Sequence, residues 1–97
     1  MISLPLDMSE LTEICRRNDV SMLGIFGSVA RGEATAQSDV DLLVEFSKRK
    51  SLLSVISLER QLSGALGRKV DLLTEAALSP YLRSRILRDL RVIYEAG

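Results

Sequence analysis

Between Phe26 and Phe46 the chain reads FGSVARGEATAQSDVDLLVEF, and no other stretch constrains the fold as much. A short apolar run, Met22-Leu23-Gly24-Ile25-Phe26, ends on Gly27-Ser28. After a polar segment the chain enters a second run, in which Val40, Leu42 and Val44 alternate with Asp39, Asp41, Leu43 and Glu45. A period of two is the signature of a strand, and it puts the two aspartates on one side. Two carboxylates beside a glycine-containing turn point to a site for metal ions and phosphate. The remaining residues are read by whether they can hold that site.

Asp7 and Glu10 have capping-box spacing, with Ser9 as a competing N-cap. Met8, Leu11, Ile14 and Cys15 then recur at helical spacing, which predicts a first helix to about Arg17. The run 22–26 predicts a buried strand. Ser28 is placed to cap a short helix at 29–31, and Gly32 to Ser38 reads as a loop. From Ser51, the residues Leu52, Val55, Ile56, Leu62, Ala65 and Leu66 form a helical stripe closed by Gly67. Val70-Asp71-Leu72-Leu73 predicts a third strand. Ser79-Pro80 starts a helix with Leu82, Ile86 and Leu90 inward, and Val92-Ile93-Tyr94 predicts a fourth, edge strand.

This alternation predicts one domain over residues 1–97 of two-layer α+β type, with three to four strands and helices packed mainly on one sheet face. Thirteen basic and thirteen acidic residues cancel, so no global field draws the protein to nucleic acid. No membrane span is visible, and the N-terminus lacks a signal pattern, which predicts a cytoplasmic protein. There is no histidine and one cysteine, Cys15. Histidine bases, Ser-His-Asp triads and an internal disulfide are therefore excluded. Cys15 reads as a core residue, and Lys48-Arg49-Lys50 as a solvated loop rather than a phosphate patch.

Asp39 and Asp41 lie two residues apart on a strand, so their charges repel unless a cation sits between them. The bland reading is two exposed aspartates at a strand mouth. Asp71 occupies an equivalent place early in the third run. If the two strands are neighbours, three carboxylates reach one sheet edge, a donor set suited to Mg²⁺. Gly27 lets backbone approach a ligand closely and Ser28 adds a hydroxyl, although Gly-Ser after a strand is commonly a plain turn.

Gly27-Ser28, ten residues, then Asp39-x-Asp41, with Asp71 later, resembles the nucleotidyltransferase superfamily that includes DNA polymerase beta. More narrowly, the chain is similar to the minimal nucleotidyltransferases (MNT), and the likeness extends through SPYLRSRILRD to VIYEA. The resemblance implies a mixed sheet backed by helices, the nucleotidyltransferase fold. It implies that Asp39 and Asp41 bind two Mg²⁺ ions, that Asp71 completes one of those sites, and that Gly27 and Ser28 hold the phosphates of ATP. Arg31 is a further candidate phosphate contact, with a salt bridge to a nearby acid as the competing reading. The resemblance also implies a HEPN toxin partner, with AMP transferred to its tyrosine, the chain acting as antitoxin.

Three functions are weighed. The first is protein adenylyltransferase. The second is an antitoxin that neutralises by binding alone, for which Arg83, Arg85, Arg88 and Arg91 offer an interface or simply a solvated face. The third is transfer to a small molecule or RNA, against which neutral charge and the lack of a second domain count. An edge strand at Val92–Tyr94 would also permit pairing of copies.

Overall fold

The computed structural model describes residues 8–33, 35 and 37–96. Its elements are α1 (Met8–Arg17), β1 (Val20–Phe26), α2 (Gly27–Ala30), β2 (Val40–Phe46), α3 (Leu52–Leu66), β3 (Val70–Thr74), a 3₁₀ turn (Glu75–Ala77), α4 (Pro80–Asp89) and β4 (Arg91–Glu95). Asp7, half of the expected capping box, lies outside the described residues. The ends of α3 follow from sequence: the Ser51 side chain accepts from the Ser54 N–H, and Gly67 closes the helix in the left-handed conformation at φ 65°. Ser79 caps α4 in the same way, accepting from the Leu82 N–H.

Ser28 does not cap α2. The helix starts at Gly27, whose carbonyl accepts from the Arg31 N–H, and no side chain caps it. Gly27 itself takes the tight turn at φ +74°, so Ser28 falls inside the first turn with its backbone already helical. No helix among the described residues is long and apolar enough to cross a membrane.

Four described strands form one mixed sheet in the order β3-β2-β1-β4. β1 runs antiparallel to β2 and β4, whereas β2 and β3 are parallel. A parallel pair needs a crossover, and α3 supplies it. The register puts Phe26 opposite Asp41 and Asp41 opposite Asp71, one row across three strands. Ile25, Leu42 and Leu72 form the next row, and Gly24, Leu43 and Leu73 the one after it, on the same face as the first.

The two sheet faces differ. Leu23, Ile25, Val40, Leu42, Val44, Val70 and Leu72 point to the face covered by α1 and α3, where they pack with Leu11, Ile14, Cys15, Leu58, Leu62 and Leu66. The alternate positions point the other way, towards α4. Leu90, just after α4, lies over Gly24, where an added Cβ would come within 3.0 Å of its Cγ. Leu43 and Ile86 are buried outside the main cluster. Helices thus cover both faces, the second only in part.

Several side chains depart from their expected positions. Leu58, not part of the expected stripe, is fully buried on α3, while Leu52 and Ile56, expected on it, are exposed. On α4 only Ile86 is buried, and Leu82, expected inward, is 46% exposed. Met8 is likewise exposed at the start of α1.

Candidate active site

The site forms where β1 ends and β2 begins. Gly27 leaves β1 in a left-handed turn that brings its backbone against the Asp41 side chain. A Cβ there would collide with the Asp41 carboxylate. Two independent demands, positive φ and close approach, therefore select glycine. Ser28 is half-buried, and among the described residues its hydroxyl has no hydrogen-bond partner, which leaves it free for a ligand.

Asp41 and Asp71 stand side by side on parallel strands, about 4.8 Å apart by the ordinary strand spacing. Burial first, then the charges of Asp71 and Asp39, hold the Asp41 carboxyl above its ordinary pKa; Arg31 acts in the opposite sense. Asp39 precedes β2 and faces a cation, the Lys69 ammonium at 3.8 Å. Asp39 and Lys69 continue the β2–β3 register, and the Val40 N–H donates to the Lys69 carbonyl at 2.9 Å.

Of the six residues singled out in the sequence, Gly27, Ser28, Asp41 and Asp71 share one end of the sheet. Asp39 is beside them but paired. Arg31 is engaged elsewhere: its guanidinium bonds Glu33 at 2.7 Å and Asp89 at 2.9 Å. Among the described residues, no three acidic or cysteine side chains are gathered closely enough to hold a metal ion as they stand. Even so, the donor set fits a hard divalent cation, because it offers carboxylate oxygens only and its most buried member is destabilised by its neighbours' charge.

Three supporting residues were not recognised from sequence. The Arg68 guanidinium donates to the carbonyl of Thr35 at 2.8 Å and to that of Ser38, bracing the segment that delivers Asp39. Glu59 on α3 accepts from the Leu72 N–H at 3.0 Å, which fixes the strand residue next to Asp71. Asp19 anchors the opposite end of the β1–β2 pair: Lys50 donates to it at 2.5 Å, Lys48 lies 3.8 Å away, and its carbonyl accepts from Ser47. The basic cluster 48–50 is thus a clamp rather than a phosphate patch.

The family described as polymerase beta nucleotidyltransferase matches residues 9–97. The protein adenylyltransferase MntA of Thermococcus cleftensis is 42% identical over 78 residues, covering 80% of this chain and 79% of that one. A crystal structure of a toxin–antitoxin with AMP-PNP has a TM-score of 0.79 at 21% identity, over 95% of this chain and 76% of that chain. A tri-AMPylated HEPN toxin of Shewanella oneidensis in complex with its MNT antitoxin gives a TM-score of 0.69 at 19% identity, over 92% of this chain and 70% of that chain. At such identities, the two structures speak to the fold.

Proposed function

The chain belongs to the polymerase beta nucleotidyltransferase family, and from that premise we propose that it transfers AMP from ATP to a hydroxyl of a partner protein, a tyrosine of a HEPN toxin. The observation that carries the reading is the contact between the Gly27 turn and the Asp41 carboxylate, next to Asp71. A phosphate-holding backbone and an anionic cluster are useful together only when a cation and a phosphoanhydride lie between them. The 42% identical relative described as a protein adenylyltransferase supports the choice of ATP as donor and of a protein as acceptor. We place the reaction in the cytoplasm, where ATP is available.

In this reading Gly27 and the free Ser28 hydroxyl hold the β- and γ-phosphates, and Asp39, Asp41 and Asp71 would hold Mg²⁺. Bound Mg²⁺ would supply charge neutralisation of the triphosphate and a lowered pKa for the acceptor hydroxyl. Asp41, half-buried and rigid on β2, orients the donor. Asp71, exposed on β3, is open to the acceptor and takes its proton. The acceptor oxygen bonds to the α-phosphorus, the bond to the bridging oxygen breaks, and pyrophosphate leaves. Arg31, fixed by Glu33 and Asp89, steadies α2 behind the turn.

The test is transfer of label from α-labelled ATP to the purified partner in Mg²⁺. Asp39→Ala with Asp41→Ala is expected to reduce transfer by at least about a hundredfold while circular dichroism stays native. Unchanged transfer would remove the site assignment. Full toxin neutralisation by the same inactive variant would instead favour neutralisation by binding, which the exposed Leu52 and Leu53 on α3 could serve.

A further inference from the structure

The sheet does not hold the three carboxylates of the candidate site equally well. Asp41 lies on β2, which is paired on both sides, with β1 and with β3. Asp39 precedes β2, and Asp71 lies on β3, the outermost of the described strands on that side. Main-chain groups alternate in direction along a strand. Because the Val40 N–H donates to the Lys69 carbonyl at 2.9 Å, the groups of residues 69, 71 and 73 face β2. Those of Val70, Leu72 and Thr74 face outwards, where no described strand receives them. A strand bonded along one side only can swivel about that row of bonds, carrying Asp71 with it.

Glu59 blocks the swivel. Its Oε2 accepts from the outward Leu72 N–H at 3.0 Å. That N–H belongs to the peptide unit joining Asp71 to Leu72, so the bond fixes the chain as it leaves the Asp71 Cα. The anchor is firm, because Glu59 is flanked on α3 by Leu58 and Leu62, neither of which has exposed surface. The acceptor is also strong: a carboxylate binds an N–H about twice as tightly as a neutral acceptor does. Among the described residues no lysine or arginine competes for it. Arg68 treats the other outlying carboxylate alike, donating to the Ser38 carbonyl directly before Asp39. The two acids that lie outside the doubly paired strand are braced, and Asp41, which the sheet secures, has no such brace among the described residues.

We infer that Glu59 is a positioning residue, which sets the direction of the Asp71 carboxylate through the Leu72 N–H. The inference rests on the nucleotidyltransferase reading of Asp71 and adds what holds that carboxylate in place. It makes α3, which contributes no group to the site, a template for its geometry.

The experiment reads the brace and its consequence separately. Hydrogen exchange of the Leu72 amide is followed by NMR on the metal-free full chain. Label transfer from α-labelled ATP to the purified partner in Mg²⁺ gives kcat and the KM for ATP. Glu59→Ala removes the acceptor, whereas Glu59→Gln keeps one; both are checked for native circular dichroism. In Glu59→Ala the Leu72 amide is expected to exchange about tenfold faster or more. Its kcat should fall about tenfold or more while the KM for ATP stays within about twofold. Glu59→Gln should keep both exchange and kcat within about threefold of wild type. Gln61→Ala is the control for α3 itself, since Gln61 accepts from Asn18 and not from β3, and its kcat should stay within about twofold. Unchanged Leu72 exchange in Glu59→Ala would overturn the inference by showing that no brace exists in solution. Faster exchange with native kcat would overturn it by showing that the brace does not place Asp71. A glutamine variant as inactive as the alanine, or an equal loss in Gln61→Ala, would assign the effect to charge or to packing instead. A wild-type chain with a protected Leu72 amide that transfers no label would overturn the nucleotidyltransferase reading itself.

Discussion

Two aspartates mark the two ends of the β1–β2 pair, and their surroundings are opposite. Asp19, at φ 57° before β1, is met by cations. The hydrogen bond from Lys50 holds its carboxyl below the ordinary value, with the Lys48 and Lys50 charges adding to the effect. Asp41, at the other end, is met by acids. Its carboxyl is held above the ordinary value by burial and by Asp71 and Asp39. The same residue type is a clamp at one end and a source of repulsion at the other. The charge of Asp19 is neutralised by two lysines of the chain, whereas Asp41 has no ion-pair partner among the described residues and faces two further acids, of which Asp39 is paired with Lys69.

The largest expected effect comes from disturbing the unneutralised end through its backbone. Gly27→Ala adds a Cβ at positive φ and drives it into the Asp41 carboxylate. Stability should fall by about 1–2 kcal/mol in urea titration. Label transfer should fall about a hundredfold, the scale of an ångström misplacement at a reacting centre. Near-native activity would show that the turn and the carboxylate work independently.

Removing the repulsion should stabilise the metal-free protein. A carboxyl whose native pKa is raised contributes stability below its unfolded pKa of 3.8 and loses that contribution as pH rises through the native value. Ionised Asp41 is therefore a liability at pH 7. Asp41→Asn is expected to raise the thermal midpoint by roughly 2–4 °C there, with little change near pH 3. Under the proposed function, millimolar Mg²⁺ should raise the wild-type midpoint, and the same variant should lose that gain. A lowered midpoint at pH 7 would break the comparison.

Asp19→Asn should behave in reverse. Asparagine tolerates the left-handed backbone, so the change isolates the charge. A lowered pKa contributes stability above 3.8 that is lost as pH falls through the native value. The variant is expected to melt below wild type at pH 7 and to converge with it in acid, with transfer activity intact. Lys69→Ala is the smallest perturbation. Its side chain is 77% exposed, so the midpoint should move by no more than about 2 °C and transfer by less than twofold. A large loss would mean that Lys69 already neutralises the site.

What was legible in the sequence follows the same division. The strands were readable because each is a short apolar run bounded by turn formers. The convergence of Asp41 with Asp71 followed once β3 was expected beside β2. Gly27-Ser28 and Asp39-x-Asp41 were readable because both halves of the motif are local. The bracing groups were not: Lys50 reaches Asp19 across 31 residues, Arg68 reaches Thr35 across 33, and Glu59 reaches Leu72 across 13. Nothing in a linear pattern pairs such groups. Leu58 and Leu82 departed from expectation for another reason. A helix stripe gives a direction, but which of its residues meet another element is decided by tertiary packing, which buries Leu58 and leaves Leu82 46% exposed.

The parallel pairing of β2 with β3 also bears on how the molecule assembles. Asp41 and Asp71 become neighbours only after the chain has closed a loop through all of α3, the kind of long-range step that slows folding. Their repulsion therefore arises in the same step that docks β3. If the proposed site takes a divalent cation, one present during refolding would relieve that repulsion at the same moment and speed the docking of β3.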